Sequence, residues 1–523
     1  MNRLALYLSL VAVLILTTTP VLLYRGTPRP ERVRTLVIVT PHNEQIRSEF
    51  TSAFIRWHTK HYGEEVGVAW NAPGGTTEIR RMLVAQYEAA LRHGVAPGGD
   101  ADLLFGGGSY EFELLSRPLK VTVDGTDRTT TILEPCTWLT QGELLELYGP
   151  NEVDGRPLYD PKLHWFGVAL STFGIVSNVA QCDARGVELP ARWEDLANPA
   201  LFEAVALANP AQSGSVATAF ETILQRLGWE RGWQVLRRAA ANSNQIVASS
   251  SVIPTTVGGG ESCTGIAIDF YGRYQVQVLA DNAQETGLPK LDRLRFTAPL
   301  GESVVDADPV AILRGAPDAE LAKRFVEFCL SLDGQLLWQL PHGPVEVCGH
   351  HPPEHYSLRR MPARRAAYAC CSSCFVDEID PFADQSPLVS DPNFRDFVGP
   401  LFVSMAMDDS RHLRAAWKAI FSHPAYPKAG GLVTAADVSD PQLKEWLTAF
   451  DAMPTVVGPD NALFHLAKVA DLAAVRQGWI KGKFAGSGLW EERQQPRTVL
   501  RAAFSDFFSM QYRQITQSAA LLH

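Results

Sequence analysis

Between Leu36 and Phe105 the chain changes hydrophobic period four times, and this alternation restricts the architecture more than any other feature. Leu36-Val37-Ile38-Val39-Thr40 is a short β-branched run. Ile46, Phe50, Phe54 and Trp57 then recur at helical spacing, behind Pro41-His42-Asn43, in which Asn43 suits an N-cap. Val66 to Trp70 reads as a second strand, Gly74-Gly75-Thr76-Thr77-Glu78 opens a helix to about His93, and Asp102 to Phe105 reads as a third strand. Strand, helix, strand, helix, strand predicts an α/β unit on a parallel sheet, whose ligands bind beyond the carboxyl ends of the strands.

A second block repeats the pattern. Trp165 to Asn178 is strand-like, Val205 to Ala208 is another strand, and Asn209-Pro210-Ala211-Gln212-Ser213-Gly214-Ser215 opens a helix to about Leu227. Ser249-Ser250-Ser251 precedes a further helix, and Gly265 to Asp269 is a strand ending in Asp269-Phe270-Tyr271. Small hydroxyl residues and glycine at a helix start leave N–H groups and a positive dipole end open to an anion. Gly106-Gly107-Gly108-Ser109 ends the third strand, where missing side chains let a ligand approach the backbone; no Lys-Ser/Thr follows, so this is not a nucleotide loop. Helix capping and turn formation are the structural alternatives for these Ser and Gly motifs.

Composition narrows the class. The 523 residues are 46% hydrophobic with a formal charge of −10, which argues against disorder and against nucleic acid as a partner. Residues 1–34 carry five Arg and one Glu, so the remainder is more acidic still, and anion capture would rest on local donors. Leu4 to Tyr24 holds no charge and is long enough to cross a bilayer. Thr17-Thr18-Thr19-Pro20 is a poor cleavage site, which favours an uncleaved anchor over a removable signal. The Arg-rich flank after it runs against the usual positive-inside bias, so orientation follows from what the body does.

The order of segments resembles the periplasmic solute-binding proteins of ABC importers, in the branch for ferric iron, thiamine, aminoethylphosphonate and sugar phosphates. The resemblance is carried by TLVIVTPHNE at 35–44, DADLLFGGGSYEF at 100–112, FGVALSTFGIVSN at 166–178, RWEDLANPALF at 192–202, NPAQSGSVATAF at 209–220, GIAIDFYGRY at 265–274 and DADPVAILRGAPDAELAKRFVEF at 306–328. It implies an α/β fold of two lobes joined by a hinge, the type II periplasmic-binding-protein fold. The expected layout is an N-terminal segment (1–34), a first lobe (35–164, with an excursion at 116–155), a second lobe (165–295), a return to the first (296–435, with a Cys/His-rich insertion at 342–380) and a helical extension (436–523). It also implies a periplasmic body held at the inner membrane, with an ABC permease as partner, no enzymatic activity and no cofactor.

The expected ligand contacts are Thr40, His42, Asn43, Gly107, Gly108, Ser109, Ser213, Gly214, Ser215, Ser250, Ser251, Asp269 and Tyr271. Ferric members of that family bind through a neighbouring Tyr pair, whereas this chain reads Phe270-Tyr271 and offers no carboxylate in its third-strand loop. The hydroxyl loops suit phosphate or phosphonate oxygens better, and Asp269 would accept from a sugar hydroxyl or an amine. The expected solute is therefore a small phosphorylated or phosphonate-type anion, with ferric iron as the alternative. A phosphate-ester hydrolase using His42 and Asp269 is a third reading. Asp306 and Asp308 read as capping and hinge residues.

Cys348, Cys370, Cys371 and Cys374 cluster with several His between 342 and 374. Disulfides, a structural zinc on Cys348, Cys371 and Cys374, and free thiols all remain open there. His351-Pro352-Pro353-Glu354-His355 matches a metalloprotease pattern, but its prolines destroy the helix that chemistry requires. Cys136, Cys182, Cys263 and Cys329 read as buried small apolar residues. The basic run Arg359 to Arg365 is a solvated face or an anion-attracting rim. Leu500, Phe504, Phe507, Phe508 and Tyr512 predict a helix capping one lobe.

Overall fold

The structure, a computed structural model, describes residues 33–285, 293–383, 386–388, 391–428, 430–458, 461–480 and 496–521. The apolar segment Leu4 to Tyr24 lies outside these residues, and among the described residues no helix is long and apolar enough to cross a membrane.

In chain order the first lobe contains β1 (Thr35–Val39), α1 (Glu44–Tyr62), β2 (Gly67–Asn71), α2 (Thr76–His93), β3 (Leu103–Phe105) and α3 (Ser109–Leu115). Strand β1 pairs in parallel with β2 on one side and β3 on the other. Residues 116–155 fold as a hairpin, β4 (Leu119–Val123) and β5 (Thr126–Thr130), followed by α4 (Gln141–Tyr148). This stretch is less of a surface excursion than expected, because Leu144, Leu147 and Tyr148 are buried in the lobe-one core.

Strand β6 (Phe166–Asn178) joins the two lobes. Its first half pairs antiparallel with β11 (Val305–Ile312), and Phe173 to Ser177 pair with β9 (Thr264–Ile268). Every residue of β6 is buried except Thr172, which sits where the partner strand changes. A strand covered on both faces has no polar alternation, which explains its near-continuous apolar run.

The second lobe adds α5 (Val179–Ala184), β7 (Val205–Ala208), α6 (Gly214–Leu227), α7 (Trp229–Ala241), β8 (Ser243–Val247), α8 (Ile253–Gly258), β9, α9 (Asp269–Glu285) and β10 (Leu294–Thr297). Strand β7 lies between β8 and β9, parallel to both. The full sheet order is β2-β1-β3-β11-β6-β9-β7-β8, with β10 also on β6.

After β11 the chain forms α10 (Ala319–Leu330), α11 (Leu332–Leu336) and the two-residue strand β12 (Met361–Pro362) on β6. Helix α12 (Arg365–Cys371) follows, packing Ala367 and Cys371 against Leu336 and Leu340. Cys348 and Cys374 are joined by a disulfide, so the three-thiolate zinc set is not assembled; Cys371 stays outside the bond.

The remainder differs from the expected layout. Helices α13 (Phe394–Phe402) and α14 (Ser410–Phe421), expected in the return to lobe one, instead pack on lobe two with α15 (Pro441–Asp451), α16 (Val469–Val475) and α17 (Pro496–Ala520) of the expected helical extension. Phe397, Phe402, Trp417, Leu447, Phe450, Phe504 and Tyr512 share one core with β7, α6 and α7. Helix α7 needs this cover because it buries Trp229 and Trp233 together with two guanidiniums, Arg237 and Arg238. Arg238 reaches Asp451 through both carboxylate oxygens (2.6 and 3.0 Å) and donates to the Val433 carbonyl (2.7 Å). Its guanidinium also lies over the rings of Trp417 and Phe450. The C-terminal helices therefore complete lobe two.

Candidate functional site

A cavity of about 290 Å³ lies between the lobes. Lobe one supplies the ends of β1 (Pro41, His42) and β3 (Gly107, Gly108), the start of α2 (Gly75, Thr76, Glu78), Asp306 and Asp308 from β11, and Arg360. Ser171 and Phe173 come from β6, while lobe two supplies Gln212 to Ser215, Ala248 to Ser250, Ile268, Phe270 and Tyr271. These are strand ends and helix starts, the positions an α/β sheet presents to a ligand.

Two helices, one from each lobe, begin at the cavity and approach each other there. Helix α6 is 14 residues long, and its N-cap, Ser213, is extended but makes no side-chain capping bond. Its hydroxyl instead meets Ser215 Oγ at 3.2 Å and Ser250 Oγ at 3.4 Å, with Ser215 and Ser250 at 2.8 Å. From lobe one, the N-cap of α2 is Gly75, which has no side chain to cap with, although Glu78 accepts its N–H at 3.2 Å. Thr76 Oγ1 is buried without a hydrogen-bond partner, and it is close enough to Gly214 that a Cβ there would lie 2.0 Å away. The two lobes thus bring the positive ends of two helices and four hydroxyls to one place, which is the chemistry an oxyanion requires.

The floor is a buried ionic cluster. Asp308 Oδ2 is bonded to His42 Nε2 at 2.9 Å and to the Arg360 guanidinium, while Asp308 Oδ1 accepts from the Gly107 and Gly108 amides. Arg360 also donates to Ser171 Oγ (2.7 Å) and lies over Phe270 (4.3 Å) and Trp338 (5.2 Å). Burial would raise the Asp308 carboxyl, but Arg360, His42 and the Gly107 amide outweigh it and hold it well below the usual range. Burial lowers His42, although Asp308 opposes the shift.

This changes the expected role of the glycine loop. The amides of Gly107 and Gly108 serve an internal carboxylate rather than facing the cavity free. Gly106 has φ +90, and a Cβ on it would lie 2.4 Å from the His42 ring, so glycine there lets the imidazole seat against β3.

Eight of the expected contacts line the cavity: His42, Gly107, Gly108, Ser213, Gly214, Ser215, Ser250 and Tyr271. Burial pushes the Tyr271 phenol up to about 12. The other five lie elsewhere. Thr40 is fully buried and donates to the Phe105 carbonyl at 2.7 Å. Asn43 caps α1 by accepting from the Ile46 amide. Ser109 is buried and donates to Asp306 Oδ1 at 2.6 Å, and Ser251 is on the exposed side of its loop beside Ser249. Asp269 is buried behind the cavity wall, accepting from the Phe270 amide, with Arg273 at 3.9 Å. The oxygen facing Arg273 makes no hydrogen bond, and burial raises the carboxyl to about 6.

Thr76, Glu78, Ser171, Gln212, Asp306, Asp308 and Arg360 were not foreseen as cavity residues. Among them Arg360 is a member of a basic run in an acidic chain, and Asp306 and Asp308 carry the capping and hinge reading given above. Asp306 and Asp308 lie two apart on β11, so both face the cavity by strand alternation, a register visible only once β11 is placed.

Residues 148–358 match the family model described as bacterial extracellular solute-binding protein. The phosphoglycerate transport regulatory protein PgtC of Salmonella typhimurium is 29% identical over 168 residues, 32% of this chain and 39% of that protein. An uncharacterized protein of Haemophilus influenzae is 29% identical over 153 residues, 29% of this chain and 41% of its own. The chain thus spans about two fifths of the length of the curated relatives it matches. Among solved structures, the periplasmic binding protein P5PA overlays with a TM-score of 0.47 at 20% identity, covering 74% of this chain and 98% of that one. The periplasmic binding protein AfuA of Actinobacillus pleuropneumoniae, with fructose-6-phosphate bound, gives 0.47 at 19% identity over the same shares. Iron-bound HitA of Pseudomonas aeruginosa gives 0.45 at 17%, covering 73% and 99%.

Proposed function

We propose, from the relation of residues 148–358 to bacterial extracellular solute-binding proteins, that this chain captures a small phosphorylated or phosphonate-type organic anion between its lobes for an ABC importer. The observation that carries the proposal is the uncapped start of α6, where Ser213, Ser215 and Ser250 converge opposite Thr76 and the start of α2. Such a site holds an oxyanion by N–H and O–H donors from both lobes, so the ligand favours the closed state by contacts the open state lacks.

Asp306 and Glu78 border the same space and would repel a bare phosphate. They accept from hydroxyl or amine groups, which favours an organic phosphate over the inorganic ion. The Salmonella relative, a phosphoglycerate transport regulatory protein by name, points to the same ligand class. Ferric iron is the weaker reading: Asp308 is already bonded to Arg360 and His42, and Tyr271 is followed back in the chain by Phe270 where a second phenolate would be wanted. In this proposal the body is periplasmic, the segment Leu4 to Tyr24 tethers it to the inner membrane, and the cleft binds without turnover.

The test is thermal unfolding and calorimetry with 3-phosphoglycerate, a hexose 6-phosphate, 2-aminoethylphosphonate, inorganic phosphate and ferric citrate. A true ligand at a hundredfold its Kd stabilises by about 2.7 kcal/mol. Ser215→Ala removes a donor to a charged oxygen, so affinity falls by roughly 10- to 150-fold, from about 1.5–3 kcal/mol. Stabilisation by ferric citrate alone, or release of phosphate from an ester that His42→Ala abolishes, overturns the proposal.

A further inference from the structure

Lobe two contains a second pair of cysteines far apart in sequence. Cys182 lies on α5 and Cys263 immediately before β9, 81 residues on, and their sulfurs are 2.9 Å apart with both side chains buried. Unbonded heavy atoms settle at about 3.5–4.0 Å, so two thiols at this separation are pressed together unless a bond joins them. The two backbones are independently fixed. The Cys263 carbonyl accepts from the Asn178 amide (2.8 Å), and the Cys263 amide donates to the Ala204 carbonyl (2.7 Å). On the other side, the Cys182 carbonyl accepts from the amides of Arg185 (3.1 Å) and Val187 (3.0 Å). Asn178 also caps α5 and donates from its side chain to the Val257 carbonyl, locking α5 to α8, the helix that precedes β9.

We propose that Cys182 and Cys263 form a second long-range disulfide, a staple between α5 and β9 at the end of lobe two remote from the cavity. The balance is that of thiol–disulfide exchange. One thiolate attacks an external disulfide, either oxidised glutathione or a disulfide-donating oxidase, and releases one thiol from it. The second thiolate attacks the mixed disulfide and releases the other thiol. Two protons and two electrons leave the pair, and one S–S bond forms. Burial of both sulfurs places this reaction during folding, before lobe two closes over them. Cys370 and Cys371, 2.7 Å apart, are chain neighbours and carry no such argument.

The staple acts on stability rather than on recognition. Strand β9 carries Ile268 at its cavity end and Cys263 before its opposite end, so the bond closes a long loop without touching the site.

The experiment refolds the reduced, denatured full chain in a glutathione redox buffer, alkylates it under denaturing, non-reducing conditions, and maps its peptides by mass spectrometry. The expected result is one species joining the Cys182 and Cys263 peptides, two hydrogens lighter than their sum, beside the Cys348–Cys374 species. Cys182→Ser together with Cys263→Ser should lower Tm by roughly 5–15 °C. Recovery of alkylated Cys182 and alkylated Cys263 from the folded protein overturns the proposal. So does a double-serine variant whose Tm equals that of the parent measured oxidised.

Discussion

Removing one carboxylate from the C-terminal helices should unsettle the lobe they cover. In Asp451→Ala the Arg238 guanidinium, whose side chain is fully buried, loses both carboxylate bonds. It keeps the carbonyls of Val433 and Gln234 and the faces of Trp417 and Phe450. Breaking a buried pair from one side costs about 3–5 kcal/mol, because a charge is left without compensation. The remaining carbonyls and ring faces place the expected loss near the lower end, about 3 kcal/mol. For a unit of the size of lobe two, each kcal/mol moves Tm by roughly 2–4 °C, so the variant should melt about 6–12 °C lower. Calorimetry of the full chain is the assay. The partner variant Arg238→Met with Asp451→Leu removes both charges and retains apolar volume, so it should recover most of the loss. A single variant melting within 2 °C of the parent, or a double variant no better than the single, would refute the view that Asp451 compensates a buried charge.

Other consequences can be checked on the same material. Gly106→Ala forces a side chain into φ +90 and against the His42 ring, which should cost about 1–3 kcal/mol and loosen the floor of the cavity, read as a lower Tm and weaker binding of the solute that stabilises the parent. Asp269 has a folded pKa of about 6 against an ordinary value of 3.8, so stability is fully present below the unfolded value and falls as pH rises through about 4 to 6, by about 3 kcal/mol. Asp269→Asn, which does not ionise, should lose that slope in denaturant titrations at pH 4 and pH 7, and an unchanged slope would reject the assignment. Asp308 works in the opposite sense. Its carboxyl is held low in the folded state, so its contribution is present above the ordinary carboxylate range and is lost on acidification, and Asp308→Asn should remove part of the acid sensitivity while lowering Tm at neutral pH.

The elements that could be read from the chain are those whose pattern is local. TLVIV and VALA are apolar on consecutive residues because both faces of their strands are covered, and Ile46, Phe50 and Phe54 are spaced by the helix they form. Ser213 to Ser215 could be recognised because a helix start advertises its donors by composition. Asp269 misled for a physical reason: its position at the end of β9 is right, but its side chain takes the Phe270 amide and turns into the protein. Arg360 was legible only as charge. Its placement needs the carbonyl of Trp338, the pairing of Met361 and Pro362 with β6, and Arg359 at φ +57, none of which has a spacing signature. The destination of the C-terminal helices was illegible for the same reason, since an amphipathic face states that it will be buried and not against which core.

Strand β6 and the late helices together impose an order on synthesis. The chain enters lobe two along β6, leaves it after β10 and comes back only near Asp391, whose amide bonds to Gln225. Arg226 spans the two later passages, donating to the carbonyls of Ser303 and Ser386. A growing chain therefore carries Trp229 uncovered until α13 brings Phe394 and Phe397, and Arg238 without its carboxylate for a sequence separation of 213 residues, until α15 brings Asp451. Lobe one, by contrast, has β1, β2 and β3 in hand early and is complete once β11, α10 and the stretch from Trp338 to Ala363 have followed. The lobe that bears the serine cluster is thus the last part of the molecule to become solid, and a nascent chain cut short before Asp451 would hold the ionic floor of the site in lobe one while its serine cluster sat on a lobe without its full cover.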